Sequence, residues 1–150
     1  MRLEQIVTAL PAGFNVLRAE ARAQGYRHIE RLADEWIAGV MRFDREGEAL
    51  IAATVAWQLA GIGGLTIDPS EAGALRMRRF YVRAAFRRNG IGRAIADHLL
   101  ARAHALGRRV TVNAGGGSEP FWQSLGFVAE ARNGHTHVFE RGEPSRFSRP

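Results

Sequence analysis

The stretch from residue 76 to residue 112 restricts the possible folds more than any other part of the chain. Residues 76–82 have the pattern of a strand, and residues 90–106 repeat apolar side chains at the spacing of an amphipathic helix. Gly107 ends that helix, and residues 110–112 form the next strand. A strand, a helix and a strand in succession predict a parallel pair with a right-handed crossover, and therefore an α/β fold.

Shorter elements are predicted on both sides of this unit. Before it, apolar spacing and turn residues indicate a strand, two helices, a hairpin and a flexible glycine turn. Their ranges are 3–10 for the strand, 12–24 and 28–38 for the helices, 39–44 and 48–58 for the hairpin, and 61–64 for the turn. After it come a short helix from Pro120 to Gly126 and two strands, 127–131 and 135–140.

Length and composition point to one compact domain. The chain has 150 residues, 46% of them hydrophobic, which suffices for a single core. We expect the domain to cover residues 1–140, with a flexible tail over 141–150. No apolar run approaches the roughly 20 residues that span a bilayer, and the first residues lack the apolar segment of a signal peptide. A cytoplasmic protein without a membrane partner is therefore predicted.

Two residue types are missing, and each absence excludes some chemistry. The chain has no cysteine, which excludes disulfides, thiolate metal sites and a cysteine nucleophile. All 21 basic residues are arginine, so a Schiff-base lysine and a P-loop lysine are excluded as well. The formal net charge is +6, carried by side chains that bind phosphate and carboxylate bidentately.

A phosphate site is predicted where the central helix begins. Between Glu71 and Asp97 the sequence has seven arginines and no acidic residue. Gly90 and Gly92 let an anion approach the backbone, and a helix start offers unpaired N–H groups at the positive end of its dipole. Together these features describe an anion site, most naturally one for phosphate.

Other phosphate-binding motifs do not fit. A dinucleotide fingerprint requires a third glycine or small residue, and this sequence has Ile95 there. Seven residues also separate Val82 from Gly90, where that fingerprint places its first glycine directly after the strand. The segment Gly115-Gly116-Gly117-Ser118 is interpreted as a plain loop that could line the site.

Two motifs resemble those of one known family. Arg87-x-x-Gly90-x-Gly92 matches a Q/R-x-x-G-x-G/A signature, with Val82 five residues before it. The segment 121–127, Phe-Trp-Gln-Ser-Leu-Gly-Phe, matches an aromatic helix that ends in Leu-Gly-Phe. Both are typical of the GNAT family of N-acetyltransferases. The resemblance implies a central mixed sheet of about six or seven strands flanked by about four helices, with splayed parallel strands 4 and 5.

The same resemblance implies acetyl-CoA as the cofactor. Backbone groups of strand 4 would pair with the pantetheine arm, and backbone N–H groups at the helix start would hold the pyrophosphate. The implied cofactor residues are Phe80, Tyr81, Val82, Arg87, Arg88, Asn89, Gly90, Ile91, Gly92, Arg93 and Trp122. The side chain of Arg87, Arg88 or Arg93 could also contact a phosphate, and Trp122 would pack beside the thioester.

The sequence departs from the family at both acid–base positions. Many members have a tyrosine where this chain has Trp122, and histone-modifying members have a glutamate where it has Arg76. An indole N–H is not a useful acid, so no catalytic acid or base is assigned. Tyr26 lies in a region that often borders the acceptor site.

The acceptor is expected to be an amine on a small molecule or peptide. Strand alternation places Arg76, Arg78, Phe80 and Val82 on one face. Arg76 and Arg78 there would favour an acceptor with an anionic group, unless they pair with a carboxylate such as Asp68 or Glu71 or reach solvent at the edge of the strand.

Two other functions are compatible with the sequence. One is a non-catalytic acyl-CoA-binding domain of the same fold, suggested by the missing tyrosine and glutamate. The other is nucleic-acid binding, suggested by the charge but disfavoured because no helix is basic along one face. His135 and His137 share a strand face, but without a carboxylate at ligand spacing they are interpreted as surface or edge residues, and no metal is predicted. A homodimer is possible.

Overall fold

The computed structural model describes residues 1–140, so the predicted tail at 141–150 lies outside the described residues. The described chain contains seven strands and four helices. The strands are β1 (Arg2–Gln5), β2 (Ala49–Val55), β3 (Gln58–Ile67), β4 (Leu75–Val82), β5 (Val110–Val112), β6 (Phe127–Arg132) and β7 (His135–Phe139). The helices are α1 (Phe14–Ala23), α2 (His28–Ala38), α3 (Ile91–Ala105) and α4 (Glu119–Ser124).

The strands form one mixed sheet in the order β1-β2-β3-β4-β5-β7-β6. Only β4 and β5 run parallel among the described strands, and α3 connects them, as predicted. Their pairing covers Leu75–Met77 against Val110–Val112 and then ends. Since β4 continues to Val82, its second half has no β5 partner in the described chain. The two strands thus leave a gap at the carboxyl end of β5, which confirms the predicted fold class.

The sheet separates two hydrophobic cores. On one face α3 packs through Ile91, Ile95 and Leu99, three buried residues at the predicted helical spacing. On the other face α1 and α2 pack through residues such as Leu17 and Leu32. Both faces of the central strands are therefore covered, as in other α/β folds.

A bulge in β4 changes which side chains share a face. Arg79 has a φ of 63°, and the pairing of β3 with β4 shifts between Ile62 and Gly64. Met77 and Phe80 consequently both pack on the α3 side, whereas Tyr81 belongs to the α1/α2 core. The prediction that Phe80 and Val82 share a face with Arg76 and Arg78 was wrong, because strict alternation does not survive an extra residue.

The predicted hairpin was also wrong. Residues 39–44 are not a strand, and the hairpin instead joins β2 to β3 through Ala56 and Trp57, whose φ values are 50° and 68°. Such a turn normally uses Asn-Gly or Gly-Gly, so Ala-Trp gave no turn signal.

The glycines at 61–64 lie inside β3 rather than in a flexible turn. A Cβ at Gly63 would lie 2.7 Å from the Phe80 ring, and one at Gly64 would lie 2.5 Å from the Phe43 ring. These glycines let aromatic rings lie against the sheet. A run of glycines looks the same in sequence whether it forms a turn or makes room for such rings, so the prediction of a turn was wrong.

The first strand is shorter than the predicted 3–10, since β1 ends at Gln5. Within the described residues, no helix combines the length and the hydropathy needed to cross a membrane.

Candidate functional site

A cleft of about 930 Å³ opens where β4 and β5 diverge. Its walls come from β4, the start of α3, the loop after β5, α4 and the junction of α1 with α2. Every predicted cofactor and acceptor residue except Asn89 lines it. Those residues are Tyr26, Arg76, Arg78, Phe80, Tyr81, Val82, Arg87, Arg88, Gly90, Ile91, Gly92, Arg93 and Trp122. The glycine loop 115–117 lines it too, as the sequence suggested.

The start of α3 forms one end of the cleft. Gly90 has a φ of 74°, and the Ala94 N–H makes a bond to its carbonyl oxygen at 2.9 Å. The N–H groups of residues 91–93 precede that bond and have no partner inside the helix. Within the described chain no side chain caps this end, and its first turn has no acidic residue. This geometry leaves donors and a positive dipole end facing the cleft, which is what an anion needs.

The three neighbouring arginines differ in what their side chains contact. Arg87 donates to the Val82 carbonyl oxygen and to Gln24 Oε1, both at 2.8 Å. Arg93 donates to the Ser124 carbonyl oxygen at 3.1 Å. Arg88 is exposed and has no such bond within residues 1–140. Of the three, Arg88 therefore has the side chain most available to a phosphate.

Asn89 stabilises the loop instead of lining the cleft. Its side-chain amide donates to the carbonyl oxygens of Phe86 and Arg87, both at 3.3 Å. These bonds close the turn that leads into α3.

Glu20 on α1 fixes the start of the same loop. Its carboxylate accepts hydrogen bonds from the Ala84 N–H and the Tyr81 hydroxyl, both at 2.8 Å, and from Arg83 at 3.3 Å. Burial alone would raise the pKa of Glu20, but these bonds outweigh it and lower the pKa. Sequence reasoning missed this residue because its partners lie more than 60 positions away.

Trp122 forms part of an aromatic wall. Its ring makes edge-to-face contacts with Phe80, Phe121 and Phe127 at centroid distances of 4.9, 4.8 and 5.2 Å. Such geometry is favourable for aromatic pairs. Because Trp122 is also buried, its role is to shape the cleft beside β4.

His28, at the first turn of α2, is a cleft residue that sequence reasoning missed. Its Nε2 lies 2.6 Å from the Phe80 carbonyl oxygen, and its ring packs against Tyr26 at 5.7 Å. Because a carbonyl only accepts, Nε2 carries the proton and Nδ1 keeps a lone pair. Burial lowers the pKa of His28, and although the bond to Phe80 acts in the opposite direction, the charges of Arg79 and Arg31 add to the lowering. A neutral imidazole near pH 7 follows, and no local motif could have indicated it.

Tyr81 is held as a neutral phenol. Its hydroxyl lies 2.8 Å from both Glu20 Oε2 and Gln24 Oε1, and burial together with Glu20 raises its pKa well above the usual range. Tyr26 is 41% exposed at the mouth of the cleft.

Arg76 is occupied by a buried ion pair. Its guanidinium lies 3.2 Å from Asp68 Oδ1 and donates to the Asn133 carbonyl oxygen at 3.0 Å, while the Thr111 hydroxyl donates to Asp68 at 2.7 Å. Burial opposes ionisation of Asp68, yet these donors lower its pKa. The pairing with Asp68 that the sequence offered as an alternative is thus the one observed, and Arg76 is not available to a ligand.

Arg78 and Arg79 follow on the same strand. Arg79 makes an ion pair with Glu35 of α2 at 2.8 Å. The Arg78 side chain is partly buried in the cleft wall, and its guanidinium makes no ion pair or hydrogen bond within the described chain.

The charge of the cleft has one sign. Seven arginines line it, and no carboxylate does so among residues 1–140. The arginines are Arg31, Arg76, Arg78, Arg79, Arg87, Arg88 and Arg93. Low-dielectric walls lined by one sign of charge attract ligands of the other.

His135 and His137 were predicted at the surface and are in fact buried, each 2% exposed. His135 lies 2.9 Å from Glu130, and His137 contacts the Thr136 hydroxyl at 2.8 Å. The prediction failed because β7 is an interior strand, between β5 and β6. Glu71, Glu130 and His135 come together, but Arg109 already makes ion pairs with both glutamates.

Comparison with known proteins finds one matching family. A family model described as an acetyltransferase (GNAT) domain matches residues 17–138. No curated protein matches the chain.

Solved structures share the fold. A protein of Exiguobacterium sp. 255-15 assigned as an acetyltransferase superposes with a TM-score of 0.84 at 24% identity, with 93% of each chain covered. A GNAT-family protein of Desulfovibrio desulfuricans gives 0.66 at 19% identity, covering 91% of this chain and 96% of that one. An aminoglycoside 6'-N-acetyltransferase solved with coenzyme A gives 0.63 at 15% identity, covering 92% and 94%.

Proposed function

The chain belongs to the GNAT acetyltransferase family, and on that premise we propose that it transfers an acetyl group from acetyl-CoA to a primary amine. The observation that carries the proposal is the uncapped, acid-free start of α3 at one end of the cleft formed by β4 and β5. That cleft has the size range of small-molecule sites.

The residues present fit a CoA-type ligand. A pyrophosphate would be held by backbone N–H groups at the start of α3, where Gly90 leaves open space, and by the side chain of Arg88. The second half of β4, which has no β5 partner in the described chain, would offer backbone N–H groups to an extended arm. The carbonyl oxygens of Phe80 and Val82 already accept bonds from His28 and Arg87. When bound, acetyl-CoA supplies the thioester whose acyl carbon forms a bond to the amine nitrogen as the C–S bond breaks.

His28 is the group we propose for moving the amine proton. It is the only imidazole in the cleft lining of the described chain, and no carboxylate lies there to compete. Its Nε2–H bond to Phe80 fixes the ring and directs the free lone pair to Nδ1. A lowered pKa keeps that lone pair available near neutral pH.

The charge of the cleft limits the acceptor. One structural neighbour is an aminoglycoside 6'-N-acetyltransferase, and aminoglycosides carry several ammonium groups at neutral pH. Arg76 and Arg79 are neutralised by their ion pairs, but the other five lining arginines have none, and no carboxylate lines the cleft among the described residues. Such a cleft would repel a polycation. We therefore propose a small acceptor with few positive charges.

A non-catalytic acyl-CoA-binding domain is the second candidate function. The observation that favours it is Trp122, which offers no transferable proton where many relatives have a tyrosine. It predicts the same ligand but no turnover.

Ligand-dependent melting tests the binding part. Acetyl-CoA and CoA should each raise the melting temperature, and at 100 times the dissociation constant they should add about 2.7 kcal/mol to the free energy of unfolding. NAD and ATP are the matched controls and should give a smaller shift. No shift with millimolar CoA would refute the assignment.

A further inference from the structure

Arg78 differs from its two arginine neighbours on β4 because it has no partner. Arg76 pairs with Asp68, and Arg79 pairs with Glu35. Within residues 1–140, no carboxylate or carbonyl oxygen bonds the Arg78 guanidinium. Leaving a partly buried charge without a hydrogen-bonded partner is costly, so chains usually avoid it.

The position of Arg78 places it in the cleft and away from the phosphate end. Met77 is the last β4 residue paired with β5, so Arg78 stands where the two strands begin to separate. Val82, next to the phosphate loop, lies four residues further on, roughly 13 Å along an extended strand.

Arg78 also lies on the same side of the sheet as α1 and α2. It pairs with Gly64, whose Cβ would point at the Phe43 ring of the α1/α2 core. The two residues of an antiparallel pair face the same way. His28 and Tyr26 line this side of the cleft as well, so Arg78 belongs to the acceptor side.

The surroundings of Arg78 provide no negative charge from the cleft wall. Burial lowers the pKa of Arg78, and the charge of Arg79 adds to this effect, although Glu35 and Asp68 act against it from their own pairs. Arg31, which is exposed on α2, is another lining arginine without an ion pair in the described chain. An oxyanion would satisfy donors that the protein leaves unpaired.

We propose that Arg78 binds an oxyanion carried by the acceptor, so that the amine substrate is an amino acid or an amino phosphate. This inference rests on the proposed function. A guanidinium holds either group through two parallel N–H bonds, and the test distinguishes a carboxylate from a phosphate.

The experiment compares acceptors that differ only in the anion. At saturating acetyl-CoA, thiol release is measured with a panel of amino acids against their carboxamides, with phosphoethanolamine against ethanolamine, and with spermidine as the polycation. We expect the anionic member of one pair to have a kcat/KM roughly 10- to 100-fold higher, and spermidine to be a poor acceptor.

Variants test whether Arg78 causes the preference for anionic acceptors. Arg78→Gln should remove the preference through KM, and Arg78→Lys should retain part of it. Arg2→Gln, on the exposed edge strand β1, is the control and should leave the preference intact.

The outcomes separate this inference from the function on which it rests. The inference would be overturned if the carboxamides and ethanolamine were acetylated as fast as their anionic counterparts, or if the preference for the anion persisted in Arg78→Gln. The proposed function would stand in either case. If CoA binds but no amine is acetylated, both are overturned.

Discussion

At the scale of single residues, the lack of a side chain at position 92 leaves room for an anion at the start of α3. Gly92 has no side chain, and a Cβ built there would lie 3.3 Å from the Phe121 ring. A carboxylate at this site would occupy the space of a phosphate and oppose its charge. It would also suit the positive end of the helix dipole, so the free protein should tolerate it.

We predict that Gly92→Asp abolishes CoA binding while the protein remains folded. Circular dichroism reports the fold and calorimetric titration reports the affinity. Gly92→Ala adds only the Cβ, so it separates the contact with Phe121 from the charge and should bind CoA with a smaller loss. Normal CoA affinity in Gly92→Asp would mean that the phosphates bind elsewhere.

His28 carries a second residue-scale prediction, on pH. Its folded pKa lies below the usual imidazole value of about 6.5, because burial disfavours the charged ring. If His28 takes the amine proton, kcat should fall as the pH drops through that lowered pKa, and should be independent of His28 titration above it.

The variant His28→Gln tests that role. Glutamine can still donate to the Phe80 carbonyl but cannot accept the proton, so kcat should fall by about 10²- to 10⁴-fold. The fall in kcat at low pH that is due to His28 should disappear from the pH profile. His98→Gln, an exposed position on α3, is the matched control. An unchanged pH profile in His28→Gln would exclude histidine as the base.

Between elements, the ion pair of Arg76 with Asp68 links β4 to the segment that precedes it. Arg76→Ala would leave the Asp68 carboxylate buried beside Thr111 without its cation. We predict a loss of about 3–5 kcal/mol in the free energy of unfolding, measured by urea denaturation. Arg78→Ala, which breaks no pair within the described residues, should cost about 1 kcal/mol or less.

The same pair sets a pH dependence for stability. The folded pKa of Asp68 is lowered, so its contribution is complete above the unfolded carboxyl value of about 3.8 and is lost as the pH falls through the folded pKa. Equal losses of unfolding free energy in Arg76→Ala and Arg78→Ala at pH 7 would contradict the stabilising role of this ion pair.

The fit of β3 against β4 gives a further prediction at the element scale. In Gly63→Ala the new methyl group would lie 2.7 Å from the Phe80 ring and 2.9 Å from Ile95. We predict a loss of about 1–3 kcal/mol in unfolding free energy. Gly115→Ala, whose Cβ would meet nothing within 4 Å, should be nearly neutral. A fully stable Gly63→Ala would show that the aromatic wall can shift.

The sequence predicted the elements whose signals are local. The strand–helix–strand unit follows from apolar spacing and Gly107, and the prediction of an anion site rests on Gly90 and Gly92. The Ala56–Trp57 turn and the bulge at Arg79 were not predictable, because each depends on cross-strand packing against residues distant in sequence. His28 and Glu20 escaped detection for the same reason, since their partners, Phe80 and Ala84, are brought near only by the fold.

At the scale of the whole molecule, the two ends of the cleft have different tasks. In the proposed function, the start of α3 provides backbone donors for phosphate, β4 provides Arg78 and the α1–α2 junction provides His28. The two ends of the cleft are continuous because the parallel pairing of β4 with β5 stops at Met77 and the strands separate beyond it. This arrangement supports the proposal of an extended ligand with an anionic end and of an acceptor that approaches from the opposite side.

The most direct test of the central claim is acetyl transfer itself. Purified protein with acetyl-CoA and the amine panel should release CoA thiol, and mass spectrometry should find the acceptor heavier by one acetyl group. Gly92→Asp under the same conditions should do neither. If wild-type protein binds CoA yet forms no acetylated product with any amine, the chain is a binding domain and the proposed enzyme activity is wrong.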